Sequence, residues 1–380
     1  MKARFTIDGS DALENHLQKT CELVTSGVRE IIPAERLEAL LLGGGYGRGQ
    51  GGVLKTPSGD KPYNDLEFYV CVKGNEVLNQ QRYRRAIHHL GESLSPQAGL
   101  EVEFKVTSLA RLQKVPPTMF SYDLACGHRS MLEGPALFAN ELQKDSSEIP
   151  LFEATRLLMN RCSGLLFAME RLQRNPFTED DADFVGRNHA KAQLAFGDVV
   201  LAANGKYHWD CRERGQRLSS ISEEQFPSPA EIQRHHRAGL EFKLHPRRAD
   251  VSLELLGAGQ RELSVLGSKV WLWLERKRLE INFSSTTEYA LSRTDKCPET
   301  NSFRNLLVNG KTFGPSVFFE GKPLRYPRER LLESLPLLLW EPTARTDPSL
   351  LHHLQTELNT SASTVPDLVR AYENLWRKFN

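Results

Sequence analysis

Residues Gly43–Val70, GGGYGRGQGGVLKTPSGDKPYNDLEFYV, decide how the rest of the chain is organised. The stretch ends in Asp65-Leu66-Glu67-Phe68-Tyr69-Val70, an aromatic and branched run of the kind that forms β-strands. Successive strand side chains point to opposite faces, so Asp65 and Glu67 share one face while Leu66 and Phe68 share the other. Two carboxylates one pleat apart repel each other unless a cation lies between them, and hard divalent cations take such oxygens together with substrate phosphates. The competing reading of this pair alone is a solvated strand face with two ordinary surface acids. The stretch begins with Gly43, Gly44, Gly45, Gly47 and Gly49, which follow the apolar run Leu40-Leu41-Leu42. Glycines let the backbone turn sharply and approach a ligand, and consecutive N–H groups in such a turn can face an anion. Arg48, inside the turn, suits a phosphate oxygen. No Gly-Lys-Ser/Thr follows, so this is not a Walker A loop, and the strand–turn–helix setting of a dinucleotide fingerprint is missing. For the glycines alone, a flexible surface loop is the competing reading.

Taken together, the two halves are more specific. Leu42-Gly43-Gly44-Gly45-Tyr46-Gly47-Arg48-Gly49 followed by Asn64-Asp65-Leu66-Glu67-Phe68 resembles the glycine turn and acid-x-acid strand of the polymerase-β-like nucleotidyltransferase superfamily, in its small form. Gly45 stands where that family often has Ser. The family has a third carboxylate on a later strand between apolar residues, and Glu103, flanked by Val102 and Phe104, matches it, with Glu101 in reserve. The chain departs from the pattern in an inserted Lys55–Tyr63 segment and in two Glu where Asp is common.

The resemblance implies an α+β fold, with an N-terminal catalytic domain of a short mixed sheet flanked by helices, followed by mostly α-helical domains. It implies transfer of a nucleoside monophosphate from an NTP to an acceptor hydroxyl, with release of pyrophosphate. Asp65, Glu67 and Glu103 would be the catalytic and metal-binding residues, for Mg²⁺ or Mn²⁺. Gly44, Gly45 and Arg48 would hold phosphate, and a helical domain would contribute Lys191, with Asn160 and Arg161 behind it. The acceptor stays open among a protein, an RNA and a small molecule. The alternative is a non-catalytic nucleotide- or RNA-binding protein, or a toxin–antitoxin-like partner, that keeps the fold.

A chain of 380 residues with net charge +1 has room for two or three cored domains and gives no global electrostatic case for nucleic acid or a membrane surface. Six scattered cysteines without a CxxC pair argue against structural zinc and against a disulfide framework. With no signal-like segment and no apolar run of membrane-spanning length, the expectation is a cytoplasmic protein with no membrane partner.

In chain order, Met1–Ile7 alternates like a strand, and Leu13, Leu17, Cys21, Val24, Val28 and Ile31 are spaced as one face of a helix that Pro33 ends. Leu37–Leu42, Asp65–Val72 and Leu100–Val106 are the expected strands, and Gln80–Leu94 is a helix with a basic face. Tyr122, Asp123 and Arg129 are candidate neighbours of the site. A polar stretch at Leu142–Pro150 suits a boundary, giving a catalytic domain over residues 1–140, a helical domain packed on the cleft over 150–225, and a mainly helical domain over 228–380. Trp271 and Trp273 are expected in a buried helix, Ser284–Gly321 in less regular structure, and the three His-His pairs in structural or surface roles.

Overall fold

The computed structural model describes residues 4–114, 116–134, 137–138, 141–247, 252–314 and 323–380. The chain folds into two compact units, where three domains were expected from the sequence. The first takes residues 1–150, 204–221 and 240–247, and the second takes 151–203, 222–239 and 248–380.

The first unit begins with α1 (Asp11–Ile31), whose start is capped by the Ser10 hydroxyl accepting from the Leu13 amide. The strand-like alternation of Met1–Ile7 does not become a strand: among its described residues, Phe5–Ile7 form bends. The amides of Phe5 and Thr6 donate to the Glu14 carboxylate of α1, so a side chain takes the bonds a neighbouring strand would have taken.

Next come β1 (Leu37–Leu42), the one-turn α2 (Gly44–Gly47), β2 (Val53–Thr56), β3 (Gly59–Pro62), β4 (Leu66–Val72), α3 (Glu76–Ala98) and β5 (Val102–Thr107). Then follow α4 (Leu109–Lys114), α5 (Met119–Gly127) and the short β6 (Arg129–Ser130). The main sheet is mixed, ordered β5-β4-β1-β6, with only β4 and β5 parallel. Their parallel pairing needs a long crossover, which α3 provides. The inserted Lys55–Tyr63 segment forms most of the β2–β3 hairpin, and its Asp60 accepts from the Ser10 amide at the start of α1.

Period-two alternation in β4 serves both faces of the sheet. Leu66, Phe68, Val70 and Val72 join Leu17, Val24 and Val28 of α1 in one core. Tyr69 and Cys71 join Leu112 of α4 and Leu124 of α5 in another. Only at the start of the strand does the second face carry acids.

The second unit contains α6 (Leu151–Arg171) and α7 (Glu179–Ala203), packed against each other. Between α7 and the rest of the chain lies α8 (Cys211–Ser219), in the first unit, and then α9 (Pro229–Leu244), whose residues divide between the units. The second unit continues with α10 (Leu253–Leu279), α11 (Thr286–Leu291), α12 (Ser302–Phe313), α13 (Pro327–Trp340), α14 (Pro348–Leu358) and α15 (Val365–Phe379). Most of Ser284–Gly314 is thus helical, in α11 and α12, where irregular structure was expected, and residues 315–321 lie outside the described residues. Trp271 is fully buried against Tyr289 and Trp340, and Trp273 meets Phe226 edge-on. Among the described residues, no helix is long and apolar enough to cross a membrane.

Candidate active site

Glu67 on β4 stands directly opposite Glu103 on β5. Residues in register on neighbouring strands point to the same face, so two acids that are 36 positions apart in sequence become neighbours (103 − 67). Asp65 lies one residue before β4, not within the strand as expected from the sequence. It is exposed, and its charge still acts on Glu103. The Glu103 carboxyl is held above its ordinary value, first by partial desolvation, then by the like charges of Asp65 and Glu101, with Lys105 opposing and Glu67 adding to the rise. The folded protein therefore binds this proton more tightly than the unfolded chain does, and this corner loses stability as pH rises through the carboxylate range. Replacing Asp65 by Asn is expected to lower the Glu103 pKa in a carboxyl-carbon NMR titration. An unchanged titration would mean that the two charges do not face each other.

Two side chains on this face were not singled out in the sequence. The Tyr69 hydroxyl donates to Glu67 Oε2 at 3.1 Å, and burial with the neighbouring Glu67 charge pushes its own pKa up. Lys105 Nζ lies 5.5 Å from the centre of the Tyr69 ring. Strand alternation marks both, since Tyr69 follows Glu67 by two and Lys105 follows Glu103 by two.

The glycine turn meets the same edge. The Gly43 amide donates to the Glu67 carbonyl at 2.9 Å. Gly44 has φ +60°, and a Cβ there would stand 3.2 Å from Glu67 Oε1, so both backbone and space favour glycine. A Cβ on Gly45 would stand 3.2 Å from the Gln50 carbonyl. Tyr46 is fully buried beneath the turn, where its hydroxyl donates to the Gly52 carbonyl and accepts from the Tyr63 amide. These bonds tie the turn to the hairpin.

Arg48, expected to assist a phosphate, forms an ion pair with Asp123 of α5 at 3.1 Å, and its side chain is only 12% exposed. A carboxylate within reach is a stronger attraction for a guanidinium than open solvent. Asp123 also accepts from Tyr207, and Tyr122 is buried with its ring against that of Tyr207. Arg129 lies over the Phe5 ring and donates to the Arg4 carbonyl. Asp123 thus engages Arg48, while Tyr122 and Arg129 have packing roles. Asn160, Arg161 and Lys191 belong to the second unit and line a cavity built wholly from it.

Among the described residues, the set of three acidic, His or Cys side chains whose donor atoms converge within 4.8 Å is Glu333, His353 and Glu357, not the trio of Asp65, Glu67 and Glu103. In the converging set, Lys296 lies 3.1 Å from Glu333, and Arg325 pairs with both Glu333 and Glu357. Those carboxylates are neutralised by protein cations, and their convergence identifies no cofactor. Among the described residues, no ion pair is formed by Asp65, Glu67 or Glu103, and the positive charge acting on Glu103 is that of Lys105. No protein-family model, curated protein or solved structure matches the chain.

Proposed function

We propose that the chain is a metal-dependent nucleotidyltransferase, moving a nucleoside monophosphate from an NTP to an acceptor hydroxyl with release of pyrophosphate. The observation that carries this reading is the register of Glu67 opposite Glu103, with Asp65 beside them and the glycine turn against Glu67.

The donor set fits a hard divalent cation, being all carboxylate, with the charges of Asp65 and Glu67 adding to the desolvation that raises the Glu103 pKa. Asp65 and Glu67 would hold Mg²⁺ or Mn²⁺, with Glu103 completing the set. When bound, such an ion neutralises charge on the phosphates and acidifies a bound hydroxyl.

The chain's own groups do the rest. Glu103 accepts the proton of the acceptor hydroxyl as its oxygen bonds to the α-phosphorus. The bond from that phosphorus to the bridging oxygen breaks, and pyrophosphate leaves. The Tyr69 hydroxyl holds Glu67 in place, and the bare Cα of Gly44 leaves room beside the Glu67 carboxylate. Lys105 places a positive charge beside Glu103 on the same face.

The test is incubation of the protein with each of four α-labelled NTPs and Mg²⁺ or Mn²⁺. Label is expected on the protein, on added RNA or on a small acceptor, together with pyrophosphate. NTP binding without pyrophosphate release would favour the non-catalytic alternative, a reading that the splayed donor atoms of the acid trio also support.

A further inference from the structure

The second unit contains a cavity of about 340 Å³ between α6, α7 and α15. Its lining includes the cations Arg161, Arg171, Arg174, Lys191 and Arg370, against only two acids, Glu170 and Glu373. Some of this charge is balanced locally. Arg171 and Arg174 share Asp181 at 3.3 Å each, and Arg174 also reaches Glu170 at 2.8 Å. Arg370, at the exposed rim, pairs with Asp367.

Arg161 differs from these. Among the described residues its guanidinium donates one weak bond, to Asn160 Oδ1 at 3.4 Å, and no carboxylate stands within 4.0 Å of it. A guanidinium has five N–H donors in a fixed fork, and Arg161, half-buried in the cavity wall, leaves most of its donors to water or a ligand. Burial holds the proton affinity of Arg161 below its usual value, with the charge of Asp198 offsetting only part of the effect. A geometrically matched anion would take up these donors in charge-assisted bonds.

The apolar side of the cavity is aromatic. Phe167 and Trp376 meet edge to face with ring centres 5.5 Å apart, and the buried Trp376 Nε1 has no hydrogen-bond partner. A buried donor without a partner is itself unfavourable.

We propose that this cavity binds a small organic phosphate, its phosphoryl group paired with Arg161 and its carbon skeleton lying against Phe167 and Trp376. The proposal rests on the second unit alone and stands independently of nucleotidyl transfer.

The test is isothermal titration of the full chain with AMP, glucose 6-phosphate and inorganic phosphate, at low and high salt. At least one organic phosphate is expected to bind more tightly than inorganic phosphate, with binding weakened by salt. Arg161→Gln is expected to weaken it at least about tenfold, the scale of one lost charge-assisted pair. Arg370→Glu, at the exposed rim, is expected to weaken it without a folding cost and carries the test if Arg161→Gln fails to fold by circular dichroism. Asp65→Asn is expected to leave binding unchanged, which separates this site from the acid face of the first unit. No binding of any probe, equal binding of inorganic phosphate, retention of full affinity in the folded arginine variants, or loss in Asp65→Asn would each overturn the proposal.

Discussion

Under the proposed nucleotidyl transfer, Asp65→Asn is expected to lower activity roughly 10³-fold, because a carboxylate that positions a catalytic cation supports several kcal/mol of charge stabilisation at about 1.4 kcal/mol per tenfold in rate. The side chain is exposed and precedes the strand, so the fold should be undisturbed by an isosteric change. Circular dichroism and the urea midpoint check this beside the activity. Turnover by Asp65→Asn at the parent rate would remove the acid face from the reaction.

Lys296→Met is expected to destabilise the second unit by about 3–5 kcal/mol, the usual cost of removing one partner from a buried ion pair. Lys296 is fully buried, with its ammonium 3.1 Å from Glu333 and 3.0 Å from the Ser292 carbonyl. Without it, Glu333 keeps Arg325, which it shares with Glu357, and His353 at 3.6 Å. Burial and the nearby Glu333 push the Glu329 carboxyl up to about 7, so it carries only part of a negative charge at neutral pH. Replacing Lys296 and Glu333 together by Met and Gln should recover part of the loss, because neither charge then stands uncompensated. Equilibrium urea unfolding measures both variants, and a change under about 1 kcal/mol for Lys296→Met would mean that the cluster tolerates the unpaired acid.

Much of the local architecture was legible in the sequence. The alternation of Leu66, Phe68 and Val70 marked β4, and the spacing from Leu13 to Val28 marked α1, because a strand repeats every two residues and a helix every 3.6. Asp65, Glu67 and Glu103 were each legible as acids in β-like surroundings. What misled was competition that local pattern does not contain. Phe5–Ile7 alternate properly, yet the Glu14 carboxylate takes their amides, so no strand forms. The residues of α12 carry a helical pattern with its apolar face partly exposed at Phe303 and Leu307, which blurred the signal.

By itself, then, the sequence determined the main strands and long helices and the residue types they carry, since those depend on neighbours a few positions away. Only the tertiary structure decided which distant groups meet. The α3 crossover places Glu103 against Glu67. Asp123 takes Arg48 from the glycine turn across 75 positions. α15 closes a cavity over Arg161 from the far end of the chain. Such pairings depend on how whole elements pack and on which charge finds a partner first, and no local periodicity encodes that choice.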